Sequence, residues 1–83
     1  MGPKKEELDL HRRTVDEALP ILEEFLYKSF QSGLLRVWIV HGRGSGILRQ
    51  EVRRYLAKHP LVKHLAPADS HHGGLGATQV DIA

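Results

Sequence analysis

Residues 37–49 read Val-Trp-Ile-Val-His-Gly-Arg-Gly-Ser-Gly-Ile-Leu-Arg: an apolar run that ends in a histidine, then glycine at every second position, then an arginine-bearing segment. A run of Val, Ile and Trp bounded by glycine predicts a buried strand. Glycines at 42, 44 and 46 permit a tight turn and let backbone N–H groups approach a ligand closely. The N-terminus of the helix expected next adds partial positive charge. Strand, glycine loop and helix together describe an anion site, with phosphate the natural anion and titratable His41 beside it.

The flanking sequence supplies the rest of one small domain. Residues 1–7 read as a polar tail and residues 8–83 as the folded unit. Leu8-Asp9-Leu10-His11 alternates like a half-buried strand. Thr14 and Glu17 have the spacing of a capping box. A helix over residues 15–31 follows from Val15, Ala18, Leu19, Leu22, Phe25, Leu26 and Phe30, which recur every three or four residues. Pro20 predicts a kink in that helix rather than a break, and Gly33 its stop. A strand over 35–40 precedes a helix over 46–58, whose buried side carries Leu48, Val52, Tyr55 and Leu56; His59-Pro60 ends it. Residues 61–65 read as a third strand, 67–76 as a polar loop and 77–82 as a last, alternating strand. The order is β-α-β-α-β-β, an α/β chain with a four-stranded mixed sheet. Trp38 and Tyr55 are expected in the core, His59 and His64 as structural or exposed, and His71-His72 on a flexible surface loop.

A β-α-β unit crosses over right-handedly, so the first two strands are expected as parallel neighbours. Ligands of open α/β sheets gather beyond the carboxyl ends of strands. His11 and His41 both stand at such ends and should converge. Either can serve as a general acid or base near neutral pH; the plainer alternative for His41 is a structural cap on its strand. Asp9 shares a strand face with His11 and can orient a histidine or hold a metal ion. Asp9, His11 and His41 together could ligate a transition metal, yet no fourth ligand is evident. Gly42, Gly44 and Gly46 with Arg43 and Arg49 are the phosphate-cradle candidates; Arg49 and Arg53 lie four apart on one helix face.

Charge points the same way. Residues 36–63 hold Arg36, Arg43, Arg49, Arg53, Arg54, Lys58 and Lys63 against Glu51 alone, whereas residues 1–35 hold five bases and seven acids. Such a patch is either a solvated helix face or the footprint of a polyanion. The absence of cysteine excludes disulfides and thiolate zinc sites and suits a reducing cytoplasm. No apolar run is long enough to span a membrane. No Lys-Ser or Lys-Thr follows the glycines, which excludes a P-loop, and their spacing is a poor dinucleotide fingerprint. With five aromatics, extensive base stacking is not indicated.

Three segments carry a family resemblance. Leu8-Asp9-Leu10-His11 with Glu17-Ala18, His41-Gly42-Arg43-Gly44-Ser45-Gly46-Ile47-Leu48-Arg49, and Gly73-Gly74-Leu75-Gly76-Ala77-Thr78-Gln79-Val80 resemble, in order, the three motifs of the Smr (small MutS-related) domain. His59-Pro60-Leu61-Val62-Lys63 is further similar to Smr domains at the C-terminus of the bacterial MutS paralogue outside classical mismatch repair. The resemblance implies a two-layer sandwich similar to the C-terminal domain of translation initiation factor three. It implies binding of DNA or RNA, including branched DNA or the ribosome, with endonuclease activity in several members and links to DNA repair, recombination and ribosome rescue. Its residues map to Asp9, His11 and His41 as the catalytic set. The nucleic acid would be held by Arg12, Arg13, Gly42, Arg43, Gly44, Ser45, Gly46, Arg49, Arg53, Gly74 and Gly76. A divalent metal, Mg²⁺ or Mn²⁺, stays open, as does a non-catalytic binding module within a larger MutS-related chain. One position departs from the pattern. Arg12 stands where the family usually has glycine, so either the backbone there differs or Arg12 adds a phosphate contact.

Overall fold

A computed structural model describes residues 6–44 and 46–83. Four strands, β1 (Glu7–Asp9), β2 (Arg36–Val40), β3 (Val62–Pro67) and β4 (Ala77–Ile82), alternate with helices α1 (Val15–Gln31) and α2 (Ile47–Ala57) and two single 3₁₀ turns, Ser70–His72 and Gly74–Gly76. The sheet order is β1-β2-β4-β3, with β1 parallel to β2 and β4 antiparallel to both neighbours. The strand last in sequence is therefore central.

The capping box forms as its spacing requires: Thr14 Oγ1 accepts from Glu17 N at 3.2 Å, and Glu17 Oε1 accepts from Thr14 N at 3.0 Å. From there α1 runs unbroken through Pro20 and buries Ala18, Leu22, Leu26 and Ser29. Helix α2 buries Val52 and Leu56. Both helices pack on the sheet face formed by Val37 and Ile39 of β2 and Val80 and Ile82 of β4, and with Leu10 they make one core. Burial of each large aliphatic side chain there contributes about 1.5–3 kcal/mol.

Several expectations need correcting. Glu6 and Glu7, expected in the polar tail, join the sheet: Glu6 O accepts from Trp38 N at 2.8 Å and Glu7 opens β1, while residues 1–5 lie outside the described ones. Strand β1 stops at Asp9, because Leu10 N makes a last bond to Val40 O and the chain then turns. Strand β3 starts one residue late and extends to Pro67, with a register irregularity between Val62 and His64; proline is tolerated because β3 is an edge strand. Trp38 is not in the core. Val37 and Ile39 take the helix side, so the two-residue period of the strand turns Trp38 to the opposite face, half-buried. His72 is likewise not on a free loop but lies on Trp38. His59, by contrast, is structural as expected: it is buried, donating from Nε2 to Glu23 at 2.7 Å and accepting from Leu61 N at 3.0 Å.

Candidate nucleic-acid interface

The carboxyl ends of β1 and β2 open into a cleft of about 340 Å³ lined by His11, Arg12, Arg13, His41, Gly42, Arg43, Gly44, Gly46, Leu48 and Arg49. A larger hollow of about 490 Å³ lies between the helices, but Glu23 and Glu51 there offset Arg54 and Lys58, and no glycine loop reaches it. Among the described residues four guanidinium groups and no carboxylate line the first cleft, which makes it the place for a polyanion.

At the end of β1 the chain reverses over Asp9. The Asp9 carboxylate accepts from His11 N at 3.0 Å and from His11 Nδ1 at 2.5 Å. Burial pulls the Asp9 pKa up, but the two bonds from His11 and the charges of His11 and Arg13 outweigh it and hold the carboxyl below the ordinary aspartate value. Asp9 is therefore an anion that orients the imidazole through Nδ1. Both side chains are about half exposed, and His11 Nε2 has no partner among the described residues. Arg12 follows with φ of 69°, the left-handed conformation that glycine would take without strain. Arg12 bears the cost of that conformation while placing a guanidinium on the cleft wall.

His41 meets a different environment. It is 4% exposed, and both ring nitrogens are used: Nδ1 lies 3.0 Å from Gly42 O and Nε2 2.9 Å from Thr78 Oγ1. A carbonyl only accepts, so Nδ1 carries the proton and Nε2 accepts from the Thr78 hydroxyl. Thr78 Oγ1 in turn accepts from Arg53 Nε at 3.2 Å. Burial lowers the His41 pKa; the bond to Gly42 opposes this, and the charges of Arg53 and Arg49 add to the lowering. His41 is thus a neutral ring fixed in the wall, and Arg53 is committed to Thr78 rather than turned into the cleft with Arg49.

The glycines place this wall. Gly42 has φ of 85°, and a Cβ there would lie 3.4 Å from His11 Cβ, so a larger residue at 42 would crowd His11. Gly46 caps α2 with φ of 86°, and the first turn of α2 carries no acid. Gly76 is buried behind the loop, where its carbonyl accepts from both His41 N and Gly42 N at 2.9 Å. A Cβ on Gly76 or Gly74 would meet Arg43 at 3.4 Å. Gly74 and Gly76 thus leave room for the Arg43 side chain and are not among the residues that line the cleft. Ser45 lies outside the described residues.

Thr78 was missed by the sequence reading, although a signal existed. It shares the two-residue period of Val80 and Ile82, which puts a hydroxyl on the core face, and a buried hydroxyl requires a partner. A resident metal does not fit. His41 uses both nitrogens, only Asp9 and His11 remain as a donor pair, and no group of three or more His, Asp or Glu among the described residues is arranged to hold an ion.

Comparison with known proteins agrees with this architecture. The family model described as the Smr domain matches residues 8–83. Endonuclease MutS2 of Thermomicrobium roseum is 45% identical over 74 residues, covering 89% of this chain and 9% of that protein. The chain thus spans about a tenth of the curated relatives it matches. The crystal structure of the Smr domain of Thermus thermophilus MutS2 superposes with a TM-score of 0.90 at 36% identity, covering 94% of this chain and 98% of that one. YdaL, a stand-alone small MutS-related protein from Escherichia coli, superposes with a TM-score of 0.91 at 32% identity, covering 96% of this chain and 66% of that one. With the family model spanning residues 8–83 and the fold superposing on a solved Smr domain, the chain belongs to the Smr domain family.

Proposed function

We propose that this domain grips the sugar-phosphate backbone of DNA or RNA in the arginine-lined cleft and breaks a phosphodiester bond there. The observation that carries this is that His11, held by Asp9, lines one cleft with the Gly42 loop and with Arg12, Arg13, Arg43 and Arg49. Asp9 fixes Nδ1, which leaves His11 Nε2 to take the proton from the attacking oxygen, either of water or of a ribose 2′-hydroxyl. That oxygen forms the new bond to phosphorus, the opposite P–O bond breaks, and the departing oxygen takes a proton from solvent. The guanidinium groups stabilise the charge that gathers on the phosphoryl oxygens. His41 acts as a positioning residue that fixes the strand end and the loop. The family names "endonuclease" among its relatives, which supports the reading.

A second reading is a module that holds DNA, RNA or ribosomal RNA for a larger MutS-related chain without chemistry. The engagement of both His41 nitrogens favours it, since the cleft then offers one accessible imidazole instead of two. The test is cleavage of supercoiled plasmid and structured RNA in Mg²⁺, Mn²⁺ or EDTA, with His11→Ala alongside. Cleavage that disappears in the variant while binding persists establishes the nuclease. Cleavage absent from, or equal in, both proteins leaves the binding module.

A further inference from the structure

The sheet face turned away from the helices holds a second aromatic feature. Trp38 is the sole tryptophan of the chain, and the His72 ring lies flat on it, with centroids 3.9 Å apart and planes within 5°. Asp69 Oδ1 holds His72 Nδ1 at 2.7 Å. That parallel stack is the arrangement a nucleobase takes on an aromatic platform in proteins that bind single strands. The indole N–H is buried and has no acceptor among the described residues. A finished interior satisfies such a donor, so the fold alone does not complete this place.

Its position relative to the cleft is specific. Glu7 pairs with Trp38 and Asp9 with Val40 in register. Trp38 and Asp9 therefore share the open face one row apart, about 6.6 Å along the strands. The segment that carries His72 continues into Gly74 and Gly76, which leave room for Arg43 of the cleft. A strand whose phosphate lies at Asp9–His11 and the arginines has a neighbouring base within reach of the indole.

We propose that Trp38 is the stacking platform for an unpaired nucleobase and that His72 occupies it until a base takes its place. The inference rests on the backbone-binding reading above and adds to it: the cleft holds phosphate, and the platform selects strands with a base free to stack. The aromatic surface of the base is common to DNA and RNA.

The experiment follows Trp38 emission, with strand anisotropy measured in parallel. Three strands of equal length are titrated: a short oligodeoxynucleotide, the oligoribonucleotide of the same sequence, and an abasic strand. Base-bearing strands should quench Trp38 saturably and bind about tenfold more tightly than the abasic strand. The abasic strand should bind through the cleft with unchanged emission. Stronger quenching by one sugar form identifies the source of the base, and equal quenching assigns both. His72→Ala, which lies outside the cleft, should bind base-bearing strands several-fold more tightly and the abasic strand as before. Equal binding of all strands with unchanged emission overturns the platform and leaves the phosphate reading standing. Binding by none overturns both. Weaker binding of base-bearing strands by His72→Ala overturns the displacement.

Discussion

The Thr78 hydroxyl fills the Nε2 side of His41 at 2.9 Å, and this one contact separates the roles of the two histidines at the cleft. His11 is the accessible ring and His41 the buried one. Thr78→Val keeps the volume but removes the donor to His41 and the acceptor for Arg53. Two polar groups then lose their partner, so the variant should be less stable by about 1–3 kcal/mol in urea unfolding. His41→Ala should lose stability and cleft binding together, because it also removes a packed ring.

The pH dependence of stability should carry the mark of the same burial. The His41 pKa is lowered in the fold, so below the ordinary histidine value the unfolded chain binds a proton that the folded chain resists. Stability from this residue is fully present above that value, near pH 6.5, and is lost as pH falls through the folded pKa. Urea unfolding between pH 8 and pH 5 should show stability declining on the acid side. In His41→Gln that part of the slope should vanish.

Catalysis should depend on the other histidine. His11→Ala should lower single-turnover cleavage by about 10²–10⁴-fold, the usual worth of a general base, with strand affinity changed little. Asp9→Asn keeps an acceptor oxygen for Nδ1 but removes the charge, so its loss should be smaller than that of His11→Ala.

Arg12 sets stability against affinity. Its φ of 69° costs an L-residue about 1–2 kcal/mol, part of which glycine returns through the greater freedom of the unfolded chain. Arg12→Gly should therefore raise stability by up to about 1 kcal/mol, a few degrees in thermal midpoint. It should also weaken strand binding and flatten the salt dependence of log Kd by about one phosphate contact.

The local elements were legible because their causes are local. Thr14 and Glu17 announced α1, the run of Val, Ile and Trp before Gly42 announced β2, and the crossover rule brought His11 to the cleft beside the Gly42 loop. Sheet order was not legible: nothing near residues 77–82 says that they insert between β2 and β3. The same blindness to distant pairing hid the Thr78–His41 bond and the Trp38–His72 stack, whose partners lie 37 and 34 residues apart. Trp38 was assigned to the core on hydrophobicity, whereas the period of its own strand already turned it to the other face.

The central place of β4 has a consequence for how the molecule is made. Strands β2 and β3 touch only through β4, and the Gly76 carbonyl that gathers the His41 and Gly42 amides directly precedes it. During synthesis His11, the loop and the arginines all emerge before the last strand. The backbone and side-chain bonds that hold His41 are therefore the last of the cleft to be supplied, when the final strand takes its place in the middle of the sheet. A nascent chain carries the histidines, the glycines and the arginines before it carries the Gly76 carbonyl and the Thr78 hydroxyl that hold His41.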